Sequence, residues 1–166
     1  MIRDPVRPVT AWVGLGSNLD EPVRQVKSAM RRLDGVEATR VIARSSLYRS
    51  APLGPVEQPD FINAVVTVET RLAPRKLLDA LQAIELEIGR QPAERWGPRR
   101  IDLDLLVYGD AVIDEQGLKI PHPGIAERNF VLLPLGEIAP DLVVPGLGRL
   151  AEIGSIPREP EISRIA

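Results

Sequence analysis

The chain has no cysteine and a single histidine. The first absence removes disulfides, thiolate metal sites and a cysteine nucleophile together. The second prevents a histidine-cluster metal site within one chain. Any cation must therefore be held by oxygen ligands, which leaves hard ions such as Mg2+, Mn2+ or Ca2+. Aromatic residues make up only 4% of the sequence, and 21 Lys plus Arg against 23 Asp plus Glu leave a net charge of −2. Neither value favours a dedicated nucleic-acid binder. No apolar run approaches the roughly 18 residues of a membrane span. The first eight residues lack the apolar centre of a signal peptide. The expectation is a cytoplasmic protein with no membrane and no nucleic acid among its partners.

What is present belongs to an ordinary globular domain. The 166 residues are 44% hydrophobic and 27% charged, and a chain of this size buries roughly 68–70% of its unfolded surface. Residues 9–15 form a short apolar run that Gly14-Leu15-Gly16-Ser17-Asn18 is expected to stop. Val23, Val26, Met30 and Leu33 then recur at helical spacing, with Asp20 as N-cap, Pro22 in the first turn and Gly35 after the end. Residues 39–48 and 61–70 are rich in β-branched side chains and read as strands; the proline-rich stretch 50–59 between them suits neither regular element.

A second helix is expected over 74–88, burying Leu77, Leu78, Leu81, Ile84, Leu86 and Ile88 and stopping at Gly89. Residues 101–108 read as a strand closed by Gly109-Asp110, with Ala111-Val112-Ile113 as a hairpin return. Pro121-His122-Pro123-Gly124 reads as a turn, and residues 131–138 as a short helix interrupted by Pro134. The order strand, helix, strand, strand, helix, strand matches a ferredoxin-like βαββαβ unit. We therefore expect an α+β fold in one domain, residues 1–166, with the order of the tail 151–166 left open.

No P-loop motif occurs. Gly146-Leu147-Gly148-Arg149-Leu150-Ala151 fits G-x-G-x-x-A but lies too close to the end for the βαβ unit that gives that motif meaning. The informative feature is Asp102-Leu103-Asp104. On a strand, side chains two apart share a face, so both carboxylates point one way while Ile101, Leu103 and Leu105 point the other. Paired like charges need compensating cations. A salt bridge to Arg99 or Arg100 would supply them, and so would a divalent metal carrying substrate phosphates. Arg90, Arg95, Arg99 and Arg100 gather just upstream beside Trp96, and guanidinium groups suit bidentate phosphate recognition. The neighbourhood points to a metal–polyphosphate substrate. His122 is at first sight a turn histidine.

Several stretches together resemble the 6-hydroxymethyl-7,8-dihydropterin pyrophosphokinases. They are residues 14–19 (GLGSNL), 46–54 (SLYRSAPLG), 58–64 (QPDFINA), 95–104 (RWGPRRIDLD), 120–123 (IPHP) and 127–135 (ERNFVLLPL). The likeness covers about residues 9–145. It implies transfer of pyrophosphate from ATP to the pterin hydroxymethyl group, with release of AMP in folate biosynthesis. It implies two Mg2+ ions held by Asp102 and Asp104, with Arg90 and Arg99 acting on the phosphates. Phe61 and Phe130 match an aromatic pair that sandwiches the pterin, Asn63 its hydrogen-bonding amide, and Ser50, Ala51 and Leu53 a pocket wall. Trp96 matches a position on a mobile loop that closes over the site, on both the pterin and the nucleotide side. Gln82, Glu85, Leu105, His122 and Arg128 match nucleotide-side positions. A monomer acting on two small molecules is implied.

The residues themselves leave two other readings open. A ferredoxin-like nucleic-acid module would stack bases on exposed aromatics, which the composition disfavours. A phosphohydrolase could use the Asp102–Asp104 pair on another polyphosphate. Without the resemblance, Phe61 and Phe130 would read simply as core.

Overall fold

The computed structural model describes residues 4–89 and 100–165. In chain order its first half contains β1 (Val9–Ser17), α1 (Pro22–Asp34), β2 (Thr39–Arg44), β3 (Tyr48–Ser50), β4 (Phe61–Thr70) and α2 (Pro74–Ile88). The second half contains β5 (Asp102–Tyr108), β6 (Ile113–Glu115), β7 (Leu118–Ile120), α3 (Asn129–Ile138), β8 (Val143–Val144), β9 (Gly148–Arg149) and β10 (Ile162–Arg164). No helix among the described residues is long and apolar enough to cross a membrane.

Strand β1 lies between β4 and β5, antiparallel to both. The far edge of β4 is shared, with β2 along its second half and β3 along its first three residues. Strands β2, β4, β1 and β5 reproduce the ferredoxin-like sheet order, and α1 and α2 cover one face. That face is sealed by Val13, Leu15, Leu33, Leu77, Leu81, Leu103 and Leu105, all buried. Helix α3 packs on the opposite face over β4, where Val65, Leu106, Val107, Leu132 and Leu135 form a second core. The sheet is thus covered on both sides, and the stretch of it left bare becomes the site.

Local chemistry explains most boundaries. Pro74 opens α2, where a missing N–H costs nothing. Gly89 closes it at φ 97°, and a Cβ there would stand 2.5 Å from Arg100 Nη1. Other expectations are corrected. Strand β1 does not stop at its glycines but continues through Gly14 and Gly16 to Ser17, because neighbours on both sides satisfy its backbone. Asp20 does not cap α1; Glu21 is the cap residue, in left-handed geometry without a side-chain bond. Asp20 instead accepts from Arg100 Nε at 2.6 Å.

Leu86 is 74% exposed, since the buried stripe of α2 follows Leu77, Leu81 and Ile84. Residues 111–113 do not return along β5. Val112 is exposed, and Ile113–Glu115 pairs instead with Leu118–Ile120. Helix α3 runs through Pro134 without interruption from Asn129. Residues 146–151 turn between β8 and β9 and lead onward. Within the tail, residues 162–164 form β10, which pairs along β3.

Helix α3 is tied to the sheet edge by Glu137. Its carboxylate accepts from Tyr48 Oη at 2.7 Å, from Ser46 N at 2.9 and 3.1 Å, and from Ser46 Oγ at 3.0 Å. Burial alone would raise the Glu137 carboxyl, but these donors and the Arg164 charge hold it below its usual value. Burial, reinforced by the same contact, pushes Tyr48 up to about 12. A carboxyl depressed in the folded state stabilises fully above the ordinary glutamate range near pH 4.3. That contribution fades as pH falls through the folded-state value. Glu137→Ala is therefore expected to cost about 1–2 kcal/mol at pH 7, in the lower range because the group is exposed. The cost should shrink on acidification below about pH 4. Urea unfolding of both proteins at pH 7 and pH 3.5 checks this.

Candidate active site

The site grows from the register of three strands. Gly16 on β1 faces Asn63 on β4 and Asp102 on β5; Gly14 faces Asp104. Directly opposed residues in a sheet point to the same side, so both carboxylates and the Asn63 amide look onto one surface. The glycines between them present only backbone. On the far side of β4, Tyr48 faces Asn63 and Ser50 faces Phe61. The result is a bare floor with carboxylates at one end and an amide and an aromatic at the other.

A cavity of about 460 Å³ opens above this floor. Its lining brings together Ser50, Ala51, Leu53, Phe61, Asn63, Asp102, Asp104, Arg128 and Phe130, each singled out in the sequence. Arg128, Phe130 and Val131, from the start of α3 and the residue before it, form the wall that faces the sheet. Asn63 Nδ2 donates to Ser50 Oγ at 2.7 Å, which fixes the amide plane. A buried amide both donates and accepts, and so can read the edge of a heterocycle. Asn18 Nδ2 donates to Gln58 Oε1 at 2.8 Å and to Pro59 O at 2.9 Å, tying the end of β1 to the approach to Phe61.

The electrostatics are those of a site for a charged ligand. Arg128 Nη1 stands 4.0 Å from Asp104 Oδ2, a loose pair, and its guanidinium lies 5.9 Å from the Phe130 ring centre. Burial pushes His122 below its usual value; Asp104 opposes this shift and Arg128 adds to it. His122 Nδ1 accepts from Gly124 N at 3.0 Å, which leaves Nε2 as the ring's donor.

The donor set fits a hard cation. Two carboxylates alternate on a rigid strand beside the cavity, and among the described residues no group of three His, Cys, Asp or Glu could hold an ion. Such a pair binds Mg2+ only when phosphate oxygens and waters complete the shell. Arg100, expected as a possible counter-charge to the pair, is instead engaged with Asp20 and the Gly89 carbonyl.

Other residues from the sequence reading lie elsewhere. Gln82 is exposed on α2. Glu85 is buried, and its Oε2 accepts from Leu103 N at 2.9 Å, between the two aspartates. The Leu105 side chain sits in the core on the opposite face. His122 stands beside the cavity, its backbone N donating to Leu106 O at 2.8 Å. Arg90, Trp96 and Arg99 lie outside the described residues. The lining also includes Gly14, Leu15, Gly16, Ala64, Glu127 and Val131, which the sequence reading did not select. The available signal was the alternation of glycine at 14 and 16, which on a strand clears one face.

The model of the 7,8-dihydro-6-hydroxymethylpterin-pyrophosphokinase family matches residues 12–140. The chain is 48% identical over 145 residues to a Haemophilus influenzae protein named 2-amino-4-hydroxy-6-hydroxymethyldihydropteridine pyrophosphokinase, covering 87% of this chain and 91% of that one. It is 50% identical over 142 residues to the protein of the same name from Pseudomonas aeruginosa, covering 86% and 88%. Among solved structures, wild-type Plasmodium falciparum HPPK-DHPS with pterin and p-hydroxybenzoate superposes with a TM-score of 0.67 at 16% identity. That match spans 87% of this chain but only 42% of the larger one and speaks to the fold.

The bare floor is directly testable. Gly16 has no left-handed backbone, so a β-branched residue is not strained there, yet a Cβ would stand 3.3 Å from Asn63 Oδ1. Gly16→Val should keep the far-UV spectrum and fill the row between Asn63 and Asp102. Overpacking costs about 1–3 kcal/mol, so the variant should lose that much stability through the crowded Asn63 amide. Urea unfolding of the two proteins gives the comparison.

Proposed function

The chain belongs to the 7,8-dihydro-6-hydroxymethylpterin-pyrophosphokinase family, and we propose that it transfers pyrophosphate from ATP to the hydroxymethyl oxygen of 6-hydroxymethyl-7,8-dihydropterin, releasing AMP, in folate biosynthesis. The observation that supports this reading is the row Asn63–Gly16–Asp102, which puts an amide and a carboxylate on one surface.

In this reading the pterin lies between Phe61 and Phe130, where offset stacking suits a flat ring. Asn63, held by Ser50, meets its edge, with Ala51 and Leu53 closing the wall. The hydroxymethyl arm then points along the glycine floor toward the carboxylates. Its oxygen bonds to the β-phosphorus as the bond from that phosphorus to the α,β-bridging oxygen breaks; AMP leaves with that oxygen and the hydroxyl proton passes to solvent. Reactions of this kind need positioning and charge stabilisation more than a strong base.

Asp102 and Asp104 would hold two Mg2+ ions, which when bound neutralise phosphate charge and polarise the attacking hydroxyl. Arg128 adds a fixed positive charge, and His122 can donate from Nε2, since its Nδ1 accepts from Gly124 N. Gln82, Glu85, Leu105, Arg90, Arg99 and Trp96 complete the nucleotide side by resemblance. Because Leu105 turns its side chain into the core, its part there is a backbone one. The protein acts as a monomeric single domain, residues 1–166, in the cytoplasm.

Incubation with ATP, Mg2+ and hydroxymethyldihydropterin tests the reading. AMP formed one-for-one with pterin consumed is expected; phosphate release that ignores pterin would make the protein a phosphohydrolase instead. Asp104→Asn keeps the side-chain volume and removes a charge from the cation site. Turnover should fall by roughly 10²–10³ with an unchanged melting temperature. Phe130→Ala should raise the pterin KM more than it lowers kcat, because stacking acts before the transition state as well as in it. Steady-state kinetics on both variants decide these points.

A further inference from the structure

The last residues of the chain lie outside the region matched by the family model, which ends at residue 140, yet they reach both walls of the cavity. On one side β10 pairs along β3, placing Ile162 opposite Ser50 and Arg164 opposite Tyr48. The ladder extends in both directions, with Ala51 N donating to Glu161 O at 2.9 Å and Ile165 N to Leu47 O at 2.9 Å. Ser50 and Ala51 line the cavity. On the other side Asn129, 1% exposed, donates its amide to Pro157 O at 3.1 Å and Pro160 O at 2.7 Å. Asn129 immediately precedes Phe130 at the start of α3.

We propose that residues 157–165 form a strap that sets the spacing between the Ser50–Ala51 wall and the Phe130 wall, and so determines affinity for the pterin. This rests on the reading of the cavity given above. Strand β3 is only three residues long, and its tie to a helix runs through Tyr48 to Glu137 at the far end of α3 rather than to the helix start that carries Phe130. Without β10 its outer edge would be open, and Ala51 would lose the backbone partner that fixes its direction. Asn129 meanwhile commits both amide protons to the strap. The same few residues therefore fasten an edge strand and a helix start that the intervening sequence leaves about eighty positions apart. Asn129 and the strap are positioning elements, since neither is among the residues lining the cavity.

The strap predicts a selective effect. The nucleotide end of the floor, at Asp102 and Asp104 on β5, lies across β4 and β1 from β3 and its partner β10. Ser163→Pro removes a ladder donor from β10 in the otherwise intact chain. Loss of one or two net hydrogen bonds should raise the pterin Kd and KM about tenfold. The KM for ATP should stay within about twofold, a split that general destabilisation would not produce. Circular dichroism and melting establish that the variant is folded. Asn129→Leu removes the two donors at the other anchor while leaving the strap's own sequence unchanged, and should give the same split. A folded variant of either kind that binds pterin as the wild type does, or that weakens both substrates equally, would overturn the proposal. Failure of the wild-type protein to bind pterin would instead overturn the reading of the cavity itself.

Discussion

The register of β1 between β4 and β5 is the constraint from which the site follows. Cross-strand neighbours in a sheet are held about 4.7–4.9 Å apart, so the Asn63–Gly16–Asp102 row fixes the amide and the carboxylate at two strand spacings. A slip of one residue in either pairing would turn its whole strand over. Asp102 and Asp104 would then enter the core and Leu103 and Leu105 would face the cavity. The apolar packing of Leu103 and Leu105 against α1 and α2 therefore holds the carboxylates in place indirectly. The reverse also holds: the charges could not be buried on the helical side without uncompensated cost.

Two helices on one face and one on the other divide the work. Helices α1 and α2 seal the larger core and brace the strands that carry the floor. Glu85 from α2 reaches through that layer to the Leu103 amide on the outer edge of β5. Helix α3 covers only part of the opposite face, anchored through Glu137 at one end and Asn129 at the other. Its start supplies Phe130 to a wall that faces the exposed glycines. The architecture thus leaves a polar end rich in carboxylate and a drier end bounded by aromatic rings.

Much of this was legible in the residues because local signals agreed with the tertiary outcome. Helix α2 shows both punctuation marks, Pro74 and Gly89, around a periodic apolar stripe. The alternation through Asp102, Leu103, Asp104 and Leu105 already assigns two faces. Where reading failed, a long-range partner had overruled a local preference. Gly14 and Gly16 look like strand breakers in isolation, yet the central strand keeps them because neighbours on both sides supply its hydrogen bonds. The three-residue strands β6 and β7 are too short for a periodic signature. The tail carries no pattern at all; its placement comes from Asn129 and the edge of β3, which nothing near it in sequence announces. In the cavity, the Asp102–Asp104 pair was legible from its alternation and most other lining side chains only through the family resemblance, whereas the floor was missed because its contribution is the lack of a side chain.

If cation, phosphates and pterin share one sheet face, they must line up along the Asn63–Gly16–Asp102 register. Crystals grown with Mn2+, a non-hydrolysable ATP analogue and hydroxymethylpterin allow the metal to be located by anomalous scattering. Metal density bridging Asp102 and Asp104 to the phosphate oxygens is expected, with the pterin ring between Phe61 and Phe130. Well-ordered nucleotide with its metal bound away from these carboxylates, or a pterin seated elsewhere, would contradict it.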